Sequence, residues 1–305
     1  MSFARTAFVA IDYLFDAPQN NRRCTRFKNV EFVVDKDIVY DKSAPEDCTL
    51  DTYYVKRKEG KYPVLFYIHG GGFVAGDKKY RRALSRWSAQ MGYFVINVNY
   101  GLCPKYKFPE PLRQLVSAAN WMMDNAERLN LDLNRVIISG DSAGGYYSAM
   151  LACICNKKSL QERLGVTTNA KFQGAVLNCG IYDVATALKA KVPFGLADKI
   201  LWDFASIKKA DVATYEWLDL CAPIDHVDAN FPASFITYAE QDFFCGGQGP
   251  KLVEKLKGLG VHVEEFHSTK FAENHCFSLT WNGKSAKKNN QLTADFMARF
   301  AEGKI

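Results

Sequence analysis

The sequence predicts an α/β fold in which a mostly parallel sheet is flanked by helices. Short apolar segments alternate with helical segments along the 305 residues, and strands separated by helices of this length favour parallel pairing. Two glycine-rich turns, His69 to Phe73 and Gly140 to Gly145, directly follow apolar segments. The second turn leads into a small and apolar stretch, which indicates a strand, a sharp turn and a helix in succession.

A series of segments has the residue pattern of strands. The first two are Val30 to Val34 and Leu50 to Val55, and Leu50-Asp51-Thr52 alternates with a period of two. The others are short apolar segments, at Val64 to Ile68, Phe94 to Val98, Val136 to Ser139, Phe172 to Leu177, Ala233 to Ala239 and Val261 to Phe266.

Helices are predicted between these strands and near the end of the chain. Those between the strands are Lys79 to Met91, Pro111 to Leu129 and Pro250 to Leu259. The last two open with proline, which the first turn of a helix permits. The closing helix, Asn282 to Phe300, has apolar side chains at four-residue intervals from Leu292 onward, so that they share one face.

Two segments do not fit this alternation and are predicted to form a cap on a single domain that spans residues 1–305. One is the segment from Met1 to about Asn29. It is rich in aromatic residues, namely Phe3, Phe8, Tyr13, Phe15 and Phe27. The other, residues 181–225, carries apolar side chains that include Trp202 and Phe204. Together with Phe73, these two are predicted to bind substrate; sealing the cap against the core is the alternative role.

Ser142 has the surroundings of a nucleophile. It follows the apolar segment Val136 to Ser139 and stands at the centre of Gly140-Asp141-Ser142-Ala143-Gly144. In a Gly-x-Ser-x-Gly turn the glycines permit a sharp bend, which raises the serine hydroxyl above the sheet. Asp141 is expected to point away from Ser142 and to have a structural hydrogen-bonding role.

The turn from His69 to Phe73 is predicted to supply hydrogen-bond donors for the oxyanion that forms when such a serine attacks. Acyl transfer passes through a tetrahedral oxyanion, and the N–H groups of a glycine-rich loop, together with the N–H after the nucleophile, stabilise that charge. The predicted oxyanion-hole donors are therefore Gly71, Gly72 and Ala143. His69 is predicted to anchor this loop by a hydrogen bond rather than to bind substrate.

The acid and the histidine of a triad follow such a serine in the chain, in that order. Of the five histidines, His275 lies in a loop near the C-terminal end, and His267, at the end of a predicted strand, is the competing choice. The acid is expected soon after the preceding strand, where Asp242 is the first choice and Glu240 the second. The sequence thus predicts a triad of Ser142, His275 and Asp242.

Four motifs resemble those of the hormone-sensitive-lipase-like branch of the α/β-hydrolases, which contains many bacterial and plant carboxylesterases. They are His69 to Phe73; Val98 to Pro104 with Phe108-Pro109; Gly140 to Gly145; and Ala239 to Asp242 with Asn274 to Phe277. The resemblance covers roughly residues 60–280. It implies an eight-stranded, mostly parallel sheet with helices on both faces, a cap, no metal or other cofactor, and hydrolysis of short-acyl esters.

The chain also departs from the pattern of this family. Gly101 and Cys103 stand where Arg and Ala are usual, and Lys105 stands where Glu is usual. Cys276 replaces the Gly that usually follows the catalytic histidine.

Composition limits the remaining functional classes. The formal charge of +6 is small, and its basic clusters accompany no recognition motif, which argues against nucleic-acid binding. Nine cysteines without a CxxC pair indicate a reducing compartment. The first fifteen residues lack the pattern of a signal peptide, and no apolar run approaches the ~18 residues of a membrane span. We therefore expect a cytoplasmic protein without membrane insertion, and the family resemblance allows a homodimer.

These observations lead to the hypothesis of a serine carboxylesterase that acts on small molecules with a short, acetyl-type acyl group. Two alternatives remain open. One is an arylformamidase or other amidase-type hydrolase, because the same triad serves amides. The other is a non-catalytic ligand-binding receptor on the same fold, against which the presence of His275 argues.

Overall fold

In a computed structural model, described at residues 5–11, 13, 27, 29–188 and 195–305, eight strands form one sheet. They are β1 (Phe32–Val39), β2 (Thr49–Val55), β3 (Tyr62–Ile68), β4 (Phe94–Val98), β5 (Leu131–Asp141), β6 (Gly174–Asn178), β7 (Ala233–Ala239) and β8 (Val263–Ser268). Their order across the sheet is β1-β2-β4-β3-β5-β6-β7-β8. Only β2 pairs antiparallel with its neighbours β1 and β4, and the strands from β4 to β8 run parallel, which confirms the predicted mostly parallel sheet.

Helices cover both faces of this sheet. In the part of the chain that the structure describes they are α1 (Arg82–Gln90), α2 (Glu110–Asp124), α3 (Ala143–Asn156), α4 (Lys158–Leu164), α5 (Val184–Ala187), α6 (Leu196–Ala205), α7 (Gln248–Gly258) and α8 (Gly283–Ala301). Buried residues of α1 and α8 belong to the core cluster on one face, and those of α2, α3 and α7 to the cluster on the other. The predicted α/β class is therefore confirmed.

The strand alternation explains why the sheet has two cores. Leu65 and Phe66 are neighbours in β3 and both are buried, yet they belong to different clusters because successive side chains of a strand point to opposite faces. Leu65 shares its cluster with Phe296 of α8, whose ring lies 5.9 Å from that of Phe235. With both faces covered, the central strands are apolar on both sides, as parallel strands usually are.

Most predicted elements lie within a few residues of their expected positions, and β4 coincides with Phe94 to Val98. The first strand is displaced from Val30–Val34 to Phe32–Val39, because its antiparallel pairing with β2 continues past the apolar residues. The helix predicted to end at Leu129 ends at Asp124, because the chain turns there into a strand that begins earlier than expected.

The N-terminal segment contributes a short helical stretch at residues 5–11. Phe8 is buried, with 6% of its surface exposed, whereas Tyr13 is 72% exposed. Phe27 packs edge-on against Phe32 of β1, with ring centroids 5.6 Å apart, so it does not share the position of Phe8. Phe3 and Phe15 lie outside the described residues.

The second cap segment is largely helical. It contains α5, α6 and three short 3-10 turns, at Lys209–Thr214, Leu218–Leu220 and Pro223–Asp225. Residues 189–194, which include Phe194, lie outside the described residues. Across the described ranges, no helix combines the length and the apolar character needed to cross a membrane.

Candidate active site

Ser142 stands at a sharp turn between β5 and α3. Its backbone has φ 53° and ψ −120°, a region that residues other than glycine rarely adopt. The turn is tight because α3 begins against the end of β3: a Cβ on Gly144 would lie 2.0 Å from the carbonyl oxygen of Ile68. The strained conformation lifts the serine side chain above the end of the sheet, as the sequence motif predicts.

Ser142, His275 and Asp242 form one continuous hydrogen-bonded chain. The Nε2 atom of His275 lies 2.8 Å from the Ser142 Oγ, and its Nδ1 lies 2.8 Å from the Asp242 Oδ2. The other carboxylate oxygen of Asp242 accepts the backbone N–H groups of Phe244 and Cys245, at 2.9 and 2.8 Å. Because these bonds hold the buried carboxylate in place, it can orient the imidazole with its proton on Nδ1 and its lone pair toward the serine.

Glu240 and His267, the alternative choices for the acid and the histidine, lie outside this hydrogen-bonded chain. Glu240 is exposed, and its backbone N–H donates to the carbonyl of Ser268. His267 is exposed on β8, where its ring stacks on that of Tyr238 at 4.7 Å. The geometry therefore favours Asp242 and His275 over these alternatives.

The predicted oxyanion loop approaches the nucleophile closely. A Cβ on Gly70 would lie 3.0 Å from the Cβ of Ser142. Gly71 and Gly72 have positive φ values of 133° and 59°, and a Cβ on Gly71 would lie 2.1 Å from the Ala75 carbonyl oxygen, so the loop turns tightly there. Ala143 is the first residue of α3, a position whose N–H has no acceptor within its own helix. The three predicted donors thus lie on the two segments that meet at Ser142.

A buried ion pair lies behind the turn. Asp141 receives two hydrogen bonds from Arg81, at 2.8 and 2.6 Å, and one from the Tyr67 hydroxyl at 2.6 Å. Burial alone would raise the pKa of Asp141, but the charge and hydrogen bonds of Arg81 outweigh it and lower that pKa. The carboxylate therefore stabilises the fold above its unfolded-state pKa of about 3.9, and this contribution is lost as the pH falls through its folded-state pKa.

His69 anchors the oxyanion loop, in agreement with the sequence prediction. Its Nδ1 lies 2.8 Å from the carbonyl oxygen of Gly70, and its ring stacks on that of Tyr100 at 4.6 Å. The Tyr100 hydroxyl in turn donates to the His69 carbonyl at 2.9 Å. Burial lowers the pKa of His69, which keeps the ring neutral inside the protein.

An apolar cavity of about 140 Å³ opens beside Ser142. Phe73 and Phe204, both predicted to bind substrate, line it with ring centroids 4.9 Å apart. Trp202 does not line it, so that prediction is wrong: its side chain is 52% exposed and lies outside the cavity. Residues two positions apart on a helix point about 200° from each other, so α6 cannot direct both Trp202 and Phe204 inward.

Three more aromatic residues shape the site. Phe244 packs edge-on against His275 with centroids 5.1 Å apart, and Phe8 contacts Phe244 at 5.6 Å. Phe8 also covers Gly72, since a Cβ there would lie 2.4 Å from its ring. Tyr146, one helical turn after Ser142, packs edge-on against Phe73. The sequence analysis did not select Phe244 or Tyr146, although their nearness in sequence to Asp242 and Ser142 was a usable signal.

Two groups of possible metal ligands overlap at His275. Its ring lies with Cys179 and Cys276 in one group, and with Asp242 and Cys245 in the other. Within each group the ligand atoms lie within 4.8 Å of one another. His275 is therefore close to sulfur donors as well as to its carboxylate partner Asp242.

Comparison with known proteins identifies the family. The BD-FAE family model matches residues 50–256, which include the predicted oxyanion loop, the serine turn and Asp242. The chain belongs to the BD-FAE family. Its fold and its sequence relatives also agree with the α/β-hydrolase esterases of the hormone-sensitive-lipase-like group, as the four motifs predicted.

Relatives of this BD-FAE chain include named hydrolases. It is 25% identical over 230 residues to the probable carboxylic ester hydrolase LipM of Mycobacterium tuberculosis. This alignment covers 74% of this chain and 52% of LipM. It is also 45% identical over 93 residues to the arylacetamide deacetylase of Bos taurus. That alignment covers 29% of this chain and 23% of the deacetylase. The chain thus spans about half or less of the length of these curated relatives.

A solved structure has the same fold over nearly the whole chain. Esterase B of Lactobacillus rhamnosis superposes with a TM-score of 0.82 and 22% identity, covering 98% of this chain and 94% of the esterase. At this level of identity the likeness establishes the fold. The BD-FAE chain is therefore an α/β-hydrolase with an eight-stranded sheet.

We expect the Arg81→Met variant to lose about 3–5 kcal/mol of unfolding free energy at pH 7, because the Asp141 carboxylate would stay buried without its partner. The loss should shrink at lower pH as that carboxylate becomes protonated. Urea unfolding at pH 5 and pH 7 measures both effects.

Two further variants control this experiment. Arg81→Met combined with Asp141→Asn removes both charges and should recover part of the stability. Arg86→Met, on the exposed face of α1, should stay within about 0.5 kcal/mol of wild type. Equal losses for Arg81 and Arg86 would contradict the role of the buried pair.

Proposed function

We propose that this chain is a serine carboxylesterase that hydrolyses small esters with a short acyl group. The observation that carries the proposal is the hydrogen-bonded chain from Asp242 through His275 to Ser142, which ends at an apolar cavity. A nucleophile, a base and an orienting acid in this order form the arrangement that serine hydrolases use for acyl transfer.

The reaction proceeds through an acyl-enzyme. His275 takes the hydroxyl proton as Ser142 attacks the ester carbonyl, and the same histidine then donates that proton to the departing alcohol. Water, activated by His275, releases the acid and restores the serine. Asp242 keeps the ring in the required tautomer and stabilises the imidazolium while it exists.

The negative charge on the carbonyl oxygen needs donors that are already in position. The proposed donors are the N–H groups of Gly71, Gly72 and Ala143, on the loop and helix end that meet at Ser142. Removal of one such donor from a serine hydrolase typically costs about 10²–10³ in kcat. Phe8 covers Gly72, which limits the access of water to this place.

The size of the cavity supports a short acyl group. An apolar cavity of about 150 Å³ accommodates one benzene ring, and the cavity beside Ser142 has about 140 Å³. That space suits an acetyl to butyryl chain better than a long fatty acyl chain. Its wall is mainly apolar and includes Phe8, Phe73, Phe204 and Phe244, which favours an uncharged substrate.

Amide hydrolysis is the second candidate. A relative of this chain is named an arylacetamide deacetylase, and the same triad and oxyanion hole act on amides. The ratio of kcat/KM for 4-nitrophenyl acetate to that for 4-nitroacetanilide distinguishes the two. The proposed esterase should favour the ester by several orders of magnitude, and comparable values would favour the amidase. The complete hydrogen-bonded chain at Ser142 argues against a non-catalytic receptor.

A homodimer and a cytoplasmic location stay predictions from the sequence, as does the division into one domain with a two-part cap.

Asp242→Asn is expected to lower kcat for 4-nitrophenyl butyrate about 10⁴-fold, because the amide would hold His275 in the wrong tautomer. Glu240→Gln is the matched control: this exposed residue has the same change of charge and should keep near-normal activity. Steady-state kinetics of both variants measures this. A near-normal rate for Asp242→Asn together with a large loss for Glu240→Gln would reverse the assignment of the acid.

Phe204→Ala is expected to shift the acyl preference toward longer chains, because it enlarges the cavity. The ratio of kcat/KM for the octanoyl ester to that for the butyryl ester should rise about tenfold. Trp202→Ala is the control on the same helix, and its ratio should not change because Trp202 lies outside the cavity. An equal shift in both variants, measured on 4-nitrophenyl esters, would contradict the position of the acyl pocket.

A further inference from the structure

Three buried cysteines surround the His275–Asp242 pair. Cys179 follows the end of β6, Cys276 follows His275 in the chain, and Cys245 donates its backbone N–H to Asp242. Cys179 and Cys276 share a small buried cluster with Leu279, and their sulfur atoms lie within 4.8 Å of each other. The proposed reaction uses none of these thiols.

Cys179 and Cys276 both have a strained backbone. Their φ values are 49° and 52°, in the left-handed region where a glycine would be unstrained. Strain of this kind persists where the surrounding structure requires it, and it clusters at functional sites. Two cysteines that are strained in the same way, in contact with each other and next to the catalytic histidine, point to a role for their side chains.

Their sulfur atoms and a ring nitrogen of His275 lie within 4.8 Å of one another. In a tetrahedral zinc site, Zn–S bonds of about 2.3 Å and Zn–N bonds of about 2.0 Å put the donor atoms roughly 3.5–3.8 Å apart. From separations of up to 4.8 Å, the donor atoms of this chain therefore need to approach one another by at most about 1.3 Å. Two thiols and one imidazole are a donor set that selects soft or borderline cations over Mg²⁺ and Ca²⁺.

We propose that Cys179, Cys276 and His275 bind a thiophilic divalent cation of the Zn²⁺ class, and that the bound ion stops ester hydrolysis. The inhibition rests on the proposed function, whereas the binding does not.

Binding follows a balanced exchange without a change of oxidation state. Each thiol releases a proton to solvent and forms a metal–sulfur bond, so that two thiolates neutralise the charge of the ion. His275 contributes a nitrogen lone pair, and water completes the coordination. Both ring nitrogens hold a hydrogen bond in the free protein, to Ser142 and to Asp242. Whichever nitrogen the ion takes, one of these bonds breaks and the proton transfer from Ser142 fails.

The pH dependence of binding follows from the protons released. Ligand thiols must lose their protons to bind a metal, so the affinity should rise with pH.

The group around Asp242 and Cys245 is the competing position for the ion. It offers His275, a hard carboxylate and a single thiol, whereas the proposed group offers two thiols. Softer ligands bind zinc-like ions in preference to magnesium-like ions, and the Asp242 carboxylate already accepts two backbone N–H groups. The Cys179–Cys276 pair is therefore the favoured site.

Calorimetric titration of the reduced, metal-free full chain with Zn²⁺ tests the binding without using activity. Wild type and Ser142→Ala should both bind one ion, because Ser142 is not a ligand. Cys276→Gly and Cys179→Ala should bind at least about thirtyfold more weakly. Glycine suits the positive φ of residue 276, and Cys276→Ser provides a second variant that keeps a side chain there. Circular dichroism checks that each variant is folded.

Two cysteine variants serve as controls. Cys155→Ala removes a buried thiol of α3 that lies about 20 Å along that helix from Ser142, and it should bind as wild type does. Cys245→Ala should retain most of the affinity. Full affinity in all folded Cys179 and Cys276 variants, or loss of affinity in Cys245→Ala alone, would overturn the proposal, as would the absence of binding to wild type.

Ester hydrolysis provides the second measurement. Wild-type activity should fall over the concentration range in which Zn²⁺ binds, and EDTA should restore it. Each variant is compared with its own metal-free rate, and Cys276→Gly should need about thirtyfold more Zn²⁺ for half-inhibition. Binding with this variant pattern but without loss of activity would overturn the inhibition. If metal-free wild type hydrolyses no ester while the binding pattern holds, the metal site stands and the proposed function fails.

Discussion

The buried ion pair between Arg81 and Asp141 is the contact on which the geometry of the site depends. Asp141 immediately precedes the nucleophile, and its carboxylate lies beneath the oxyanion loop, 2.5 Å from where a Cβ on Gly70 would stand. Arg81, which lies just before α1, donates a hydrogen bond to each carboxylate oxygen of Asp141. One charged contact thereby fixes the serine turn against the loop that should stabilise its oxyanion. A pair in this position restrains the strained backbone at Ser142 more directly than distant core packing does.

The proposed triad and the proposed acyl cavity come from different parts of the fold. Ser142 and Asp242 follow β5 and β7, whose parallel pairing through β6 brings their ends to one edge of the sheet. The cavity wall comes largely from α6 and its neighbouring turns, together with Phe8. The proposed reaction type therefore depends on residues that follow the sheet strands, and the proposed acyl preference depends on segments outside the sheet. This separation explains how α/β-hydrolases can change substrate while they keep the same chemistry.

Ser142 and the proposed oxyanion donors could be selected from the sequence because they lie in turns whose glycines leave few conformations. Gly140 to Gly145 and His69 to Phe73 each determine where a side chain or an N–H group can point. Trp202 was assigned wrongly because its helix has apolar residues on several sides, and packing alone decides which side faces the cavity. Phe244 lies two residues after Asp242, which marks it as near the site, but its contact with His275, more than thirty residues later, depends on how the two loops pack. The cysteine pair likewise becomes visible only when β6 and the His275 loop meet.

The most direct test of the account is the mass of the intact protein after reaction with a short-chain 4-nitrophenyl alkylphosphonate. This reagent phosphonylates an activated serine and mimics the tetrahedral intermediate. The account predicts one adduct per wild-type chain, located at Ser142 by peptide mapping, and none on folded Ser142→Ala. An adduct of equal yield on Ser142→Ala, or a folded wild-type protein that stays unmodified under conditions that label another serine esterase, would contradict the assignment of Ser142 as the nucleophile.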